Sequence, residues 1–184
     1  MSDGRIIIIS SPSGAGKGTI ISRVRTALPD IEYSVSLTTR APRPGEHDGV
    51  HYHFVTQEEF CRRERCGEFL ECNPYSKNRY GTLRAPVERA IARGRDIILE
   101  IEVKGARDVR RAFPDSIGIF IAPPDFEELR QRLLGRRTDS AEDIADRMAI
   151  AEEEMHAANE FDYVVVNDDL DAAASRVLEI ISGK

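Results

Sequence analysis

Short apolar runs and amphipathic stretches take turns along this chain. Ile6–Ile9, Ile97–Ile101, Ile117–Ala122 and Tyr163–Val166 are near-continuous in hydrophobicity, the pattern of strands covered on both faces in a parallel sheet. Between and after them the spacing is helical. Thr19 to Leu28 carries Ile20, Ile21, Val24, Ala27 and Leu28; Ala141–Ala158 places Ile144, Met148, Ala151 and Met155 at steps of 4, 3 and 4; Leu170–Ile181 carries Leu170, Ala174, Val177, Leu178 and Ile181. Strand and helix in alternation predict an α/β sandwich.

The rhythm breaks from about Ser34 to Gly81. This stretch is polar and turn-rich, with Ala41-Pro42-Arg43-Pro44-Gly45, the strand-like His51-Tyr52-His53-Phe54-Val55 and a second extended piece, Phe69–Glu71. Between the last two, Thr56 and Glu59 predict a capping box in which Thr56 caps a helix and Glu59 reaches back. The stretch reads as an inserted subdomain rather than a linker. A compact basic loop, Gly135–Ser140, separates two later helices, and no internal repeat is present.

Composition narrows the class. At 184 residues the chain is expected to be one domain, large enough to bury a core without metals or disulfides. Its 41% apolar and 32% charged residues are ordinary for a soluble globular protein. No apolar run approaches the ~18 residues of a membrane span, and Ile6–Ile9 is too short for a signal-peptide core. Cys61, Cys66 and Cys72 are odd in number and lack C-x-x-C spacing, which fits free thiols in a reducing cytoplasm. A net charge of −6 argues against nucleic acid as a partner. Of the 26 basic residues 22 are arginine, the side chain that grips phosphate with a planar fork; a general bias toward arginine codons explains the composition equally well.

Position is more informative. Directly after the first apolar run stands Ser11-Pro12-Ser13-Gly14-Ala15-Gly16-Lys17-Gly18-Thr19, leading into a helix. Glycines let successive N–H groups point into one concavity, the helix adds its positive end, and Lys17 adds a mobile cation: a phosphate cradle. The strict motif has Gly first and Ser or Thr after Lys, where this chain has Ser11 and Gly18. The hydroxyl at 18 that ordinarily holds Mg²⁺ is missing, and Thr19 offers one a residue later, directly or through water.

Within the insert, Arg40 and Arg43 flank a proline turn with Tyr52 following. Two guanidinium forks and a phenol make a clamp for a dianionic phosphate, and pairing with Glu46 and Asp48 in a solvated turn is an equal alternative. Tyr80-Gly81-Thr82 offers another phenol and hydroxyl to the same phosphate, or is an ordinary turn before the helix containing Pro86. Glu100 and Glu102 end a strand otherwise apolar from Ile97 to Leu99. Alternation puts both on one face, at the strand end where α/β sheets bind ligands; helix capping or pairing with arginine is the competing use. A carboxylate accepting two parallel N–H bonds suits guanine, whose N1–H and 2-amino group donate on one edge. The adenine N1 lone pair repels it. A serine hydroxyl would donate to guanine O6.

These residues together resemble the guanylate kinases, over essentially the whole chain. Ser34-Val35-Ser36-Leu37-Thr38-Thr39-Arg40-Ala41-Pro42-Arg43-Pro44-Gly45-Glu46 is similar to the family signature. Asp48–Phe54, Tyr80-Gly81-Thr82, Ile121–Pro124, Gly135-Arg136-Arg137-Thr138 and Val166–Asp169 match in order and spacing. The resemblance implies a P-loop three-layer sandwich with a central parallel sheet, its core at 1–33 and 84–184 with a small lid at about 135–148, and an inserted mixed β/α GMP-binding subdomain at 34–83. It implies ATP as phosphoryl donor, Mg²⁺, and GMP, with dGMP, as acceptor. Ser36, Glu71 and Glu102 would read guanine; Arg40, Arg43, Tyr52, Tyr80 and Thr82 would hold the GMP phosphate, with Glu100 near the phosphates and Mg²⁺. Residues 11–19 would hold ATP, with Asn167 near the adenine, and Lys17, Arg136 and Arg147 would act on the transferred group.

The chain departs from the pattern at Glu100, Glu102 and Lys104, where the family often has Asp, Asp and Gln. The extra methylene shifts the reach of each acid, and Lys104 is within sequence range of both. Tyr75-Ser76-Lys77-Asn78-Arg79 replaces a stretch that more usually reads His-Gly-Asn before Tyr80. Guanylate-kinase-like domains of scaffolding proteins, which hold phosphopeptides without catalysis, typically lose the loop lysine or lid arginines; Lys17, Arg136 and Arg147 remain here.

Overall fold

The computed structural model describes residues 4–75, 77–134 and 141–183, with side chains described outside 132–147. In chain order the elements are β1 (Ile6–Ser10), α1 (Lys17–Ala27), β2 (Glu32–Ser34), β3 (Leu37–Thr38), β4 (His53–Phe54), α2 (Gln57–Arg65), β5 (Phe69–Tyr75), β6 (Asn78–Leu83) and α3 (Arg84–Ala92). There follow β7 (Ile97–Glu100), α4 (Val103–Ala112), β8 (Ile117–Ala122), α5 (Phe126–Leu134), α6 (Ala141–His156), a 3₁₀ turn (Ala157–Glu160), β9 (Tyr163–Val166) and α7 (Leu170–Ser182). The chain divides into two compact units, Met1–Ile7 with Asp30–Ser116, and Ile8–Pro29 with Ile117–Lys184. No helix among the described residues is long and apolar enough to cross a membrane.

The apolar runs form one sheet in the order β2-β7-β1-β8-β9. β2 lies parallel to β7, with Tyr33 opposite Ile98, and β8 parallel to β9, with Ile121 opposite Val165. Every residue of β1 is buried, as are Ile97–Leu99 of β7, which is why these strands read as unbroken hydrophobic runs. β9 corrects the expectation of burial on both faces. It is the last strand of the sheet, and only Val165 is buried; Tyr163, Val164 and Val166 are exposed. An edge strand has a neighbour on one side only, so its apolar side chains need not all find cover.

The insert folds around a second sheet, ordered β4-β3-β6-β5, whose strands all lie within 34–83. β3 runs parallel to β4 and antiparallel to β6, and β5 and β6 form an antiparallel hairpin. Its two faces have different jobs. One packs Leu37 and Phe69 on Phe60 of α2, with the two phenyl rings stacked at 4.6 Å. A bulge between Phe69 and Glu71 makes the switch: it lets Phe69 face this apolar cluster while Glu71 faces the other way. The Phe69 ring lies where a Cβ on Gly81 would be, 2.8 Å away, so only glycine fits opposite it.

Half of the expected capping box forms. Thr56 Oγ1 accepts from Glu59 N at 3.2 Å, but the Glu59 carboxylate does not reach back. It takes Arg62 Nε at 2.7 Å and Arg63 Nε at 2.6 Å, because two cations one turn on outcompete a single amide. α1 begins at Lys17, two residues before the apolar pattern does, and the basic loop 135–140 lies outside the described residues.

Candidate active site

The six residues between β1 and α1 turn on Gly14 (φ 94°) and Gly16 (φ 90°), and Ala15 N donates to Pro12 O at 3.2 Å. Gly16 caps α1 with no side-chain hydrogen bond, and no acid stands in the first turn. The positive end of the helix is therefore left for a ligand. Lys17 is half-buried, and Gly18 and Thr19 are exposed on that turn. Ser11 is buried, its hydroxyl donating to Pro12 O at 3.1 Å. Asn167, just past β9, is 5% exposed, and its Nδ2 donates to Ala15 O at 2.7 Å. A Cβ on residue 16 would sit 2.5 Å from that nitrogen. Asn167 thus braces the loop from behind, a contact with the loop backbone that the sequence comparison alone did not suggest.

The second candidate region is the face of the small sheet turned away from Phe60. The hairpin register sets Glu71 opposite Thr82 and Asn73 opposite Tyr80, and the two-residue period puts all four on one side. Ser36, just before β3, joins them, its hydroxyl 3.5 Å from that of Thr82. Thr82 Oγ1 donates to Glu71 Oε1 at 2.7 Å, and Asn73 Nδ2 donates to Glu71 Oε2 at 3.3 Å. Burial pushes the Glu71 carboxyl above its ordinary range, against the pull of these two donors. Behind it runs α4, whose Gly105 has no Cβ; one there would be 2.6 Å from Glu71 Oε2. Glycine costs a helix about 1 kcal/mol, and here it admits a carboxylate against the backbone.

Glu100 and Glu102 flank the buried Ile101, and Glu102 keeps an extended backbone, as alternation requires. β7 ends at Glu100, and Glu102 is the N-cap of α4 without its side chain making the cap bond. Glu102 Oε2 is buried and has no hydrogen-bond partner among the described residues, an arrangement that costs about 1–3 kcal/mol unless a donor arrives. Glu100 Oε2 accepts from Tyr33 OH at 2.9 Å. Lys104 is exposed and pairs with neither acid among the described residues. Both acids act on the Tyr52 phenol, which burial first, and then Glu100, Tyr80 and Glu102, hold well above its usual range. Tyr52 is therefore a hydrogen-bond donor at any physiological pH.

Arg40 sits beside this face. Its guanidinium makes two bonds of 2.9 Å to Glu46, so the pairing with Glu46 left open by the sequence is made, and Asp48 instead accepts from Phe54 N at 2.9 Å. Arg40 Nε also donates to Tyr80 OH at 3.3 Å, and its carbon centre lies 5.5 Å from the Tyr52 ring. Glu46 is held below its ordinary range by Arg40, and it accepts from Arg43 N at 2.7 Å. The Arg43 side chain is exposed. The unusual Arg79 is drawn to the apolar face, where it pairs with Glu64 at 2.5 Å and lies over Phe60. Arg136 and the side chain of Arg147 lie outside the described residues.

Sequence reasoning missed Asn73, Asp108, Gly105 and Tyr33. The signal available was an asparagine in mid-strand, where that residue is disfavoured, two positions from a buried acid.

The guanylate kinase family model matches residues 3–184. The chain is 50% identical over 181 residues to a guanylate kinase of Rubrobacter xylanophilus, covering 98% of this chain and 95% of that one. It is 49% identical over 175 residues to one of Synechococcus sp. strain CC9902, covering 95% and 94%. The crystal structure of guanylate kinase from Anaplasma phagocytophilum superposes with a TM-score of 0.84 at 34% identity, over 99% of this chain and 86% of that one. An SH3-kinase fragment of tight junction protein 3, at 10% identity and a TM-score of 0.53, shares the fold alone. With a matching family model from end to end and relatives near half identity, the chain belongs to the guanylate kinase family.

Proposed function

We propose that this chain transfers the γ-phosphoryl group of ATP to GMP, giving ADP and GDP, and to dGMP, giving ADP and dGDP. The observation that carries the reading is a pair of buried acceptors: Glu71, held by two neutral donors, and Glu102, with one oxygen buried and unpartnered among the described residues. Guanine offers matching donors at N1–H and its 2-amino group; adenine offers a lone pair at N1. Ser36 would donate to O6. Arg40, Arg43, Tyr52, Tyr80 and Thr82 would hold the GMP phosphate, the permanently protonated Tyr52 donating to it, with Glu100 alongside.

The loop 11–19 would cradle the ATP phosphates with its amides and Lys17, braced by Asn167 close to the nucleotide. The bond between the γ-phosphorus and the ADP oxygen breaks as a GMP phosphate oxygen, already anionic, bonds to that phosphorus. No base is needed, so positioning and charge neutralisation carry the catalysis. Arg136 and Arg147 would add cations from a lid at about 135–148, whose closure excludes water that would otherwise take the phosphoryl group. Thr19, exposed on the first turn of α1, offers the hard oxygen that Mg²⁺ favours, directly or through water. When bound, the ion would supply neutralisation of phosphate charge. In this reading 34–83 is the GMP-binding insert of a core formed by 1–33 and 84–184. Three free cysteines fit a cytoplasmic enzyme.

A coupled assay with ATP against GMP, dGMP, AMP, CMP and UMP tests the reading. Turnover of GMP and dGMP far above the others is expected; AMP turned over as well as GMP would overturn it, as would phosphopeptide binding with no turnover at all.

A further inference from the structure

Asn73 has no part in the reaction as drawn, yet it is the most constrained polar side chain on the reading face. Its Nδ2 donates to two carboxylates, Glu71 Oε2 at 3.3 Å and Asp108 Oδ2 at 3.1 Å. An amide nitrogen has two hydrogens, and both are used. The orientation is forced, because turning Oδ1 toward either acid would set lone pair against lone pair. Asp108 stands on α4 one turn beyond Gly105, and its other oxygen pairs with Arg111 at 3.2 Å. One helix therefore admits Glu71 through the missing Cβ of Gly105 and anchors the residue that orients it.

The geometry has a consequence for the ligand. An ionised carboxylate offers about four lone-pair positions. Thr82 occupies one on Oε1 and Asn73 one on Oε2. The Thr82 backbone N–H adds a further bond, so among the described residues the carboxylate is held by Thr82 and Asn73 alone, and lone pairs remain for N–H donors of a ligand. Both holders are neutral, so the negative charge is left for the ligand; a lysine or arginine at position 73 would quench it.

We propose that Asn73, fixed by Asp108, is a positioning residue that keeps both oxygens of Glu71 presented to the purine edge and so sets selectivity for a purine with a 2-amino group over one without it. The inference rests on the reading of Glu71 as the guanine-binding acid. GMP offers N1–H and the 2-amino group; IMP offers N1–H alone. With Asn73 gone, the carboxylate stays pinned at Oε1 by Thr82 but loses its anchor at Oε2, and GMP loses a bond that IMP never made.

The test is steady-state kinetics of the full chain at saturating ATP, with GMP and IMP as acceptors. Asn73→Ala is expected to raise KM for GMP about tenfold, the loss of one such hydrogen bond, leaving kcat, KM for ATP and the IMP constants within about twofold. The GMP-to-IMP ratio of kcat/KM then falls about tenfold. Asp108→Ala should act in the same direction by about threefold, and the double variant should match Asn73→Ala alone, because Asp108 works through Asn73. If Asn73→Ala does not fold, Asp108→Ala carries the test through the same ratio. An unchanged ratio overturns the proposal, including the case in which both acceptors weaken equally, which marks a merely structural role; so does additivity in the double variant. Wild-type protein that does not phosphorylate GMP would instead overturn the proposed function, and this inference with it.

Discussion

In the proposed reading the phosphate loop and the reading face would solve recognition with opposite materials. Between β1 and α1 the binding groups would be backbone amides, joined by Lys17 at the helix start, with Gly14 and Gly16 supplying the turn and Asn167 propping Ala15. On the small sheet the groups offered to the ligand would be side chains, Glu71, Thr82, Ser36 and Tyr80, while the backbone is spent on strand pairing. The division follows the chemistry. Every nucleotide has phosphates, and amides that every residue possesses can bind them. Only the base edge differs between nucleotides, and only side chains carry enough variety to read it.

If that contrast holds, damage to the loop should be blind to the base and damage to the face should not. Lys17→Ala should lower kcat by about 10³-fold or more, equally for GMP and IMP, in a protein with unchanged circular dichroism; a base-dependent loss would break the comparison. Glu71→Ala comes next, with KM for GMP raised about 10²-fold and KM for ATP within twofold, as read from initial rates with each substrate varied.

The acidity of Glu71 sharpens the same point. Its folded pKa is raised, so the ionised group opposes folding at neutral pH, and the free protein gains stability as pH falls through that window. In the proposed reading, guanine binding would need the ionised form. The acid limb of kcat/KM for GMP should therefore lie above the ordinary carboxylate range, while the melting temperature without ligand moves the opposite way; parallel movement of the two would remove Glu71 from the role. Asn167→Ala should be smaller, raising KM for ATP about tenfold by leaving Ala15 O without its donor, with KM for GMP unmoved. The least effect is expected from Glu59→Gln. Arg62 and Arg63 lower that carboxyl to about 2, but the cluster is solvent-screened, and the melting temperature should stay within about 1 °C.

How far the chain could be read in advance depended on the range of the interaction. β8 and β9 were legible to the residue because unbroken apolar runs are a local signal, and the phosphate loop because its geometry is made by adjacent residues. The exposure of β9 was not, since a strand does not encode whether it will have a neighbour. The back-reach of Glu59 failed because Arg62 and Arg63 compete for the same oxygens. Alternation carries on past the end of β7 to Glu102, because that residue keeps an extended backbone as the N-cap of α4, while the shared proximity of Glu100 and Glu102 to Tyr52 is a tertiary fact. Asn73 and Asp108 are 35 residues apart, beyond the reach of any periodicity.

The extra residue in the strand leading to Glu71 gives the chain's spacing a meaning of its own. Removing Leu70 would straighten that ribbon and keep its two sides, with Phe69 still against Leu83 and Glu71 still against Thr82. Removing Cys72, by contrast, would make Glu71 and Asn73 immediate neighbours on opposite sides, so engineering there should respect where the length changes before which residue changes.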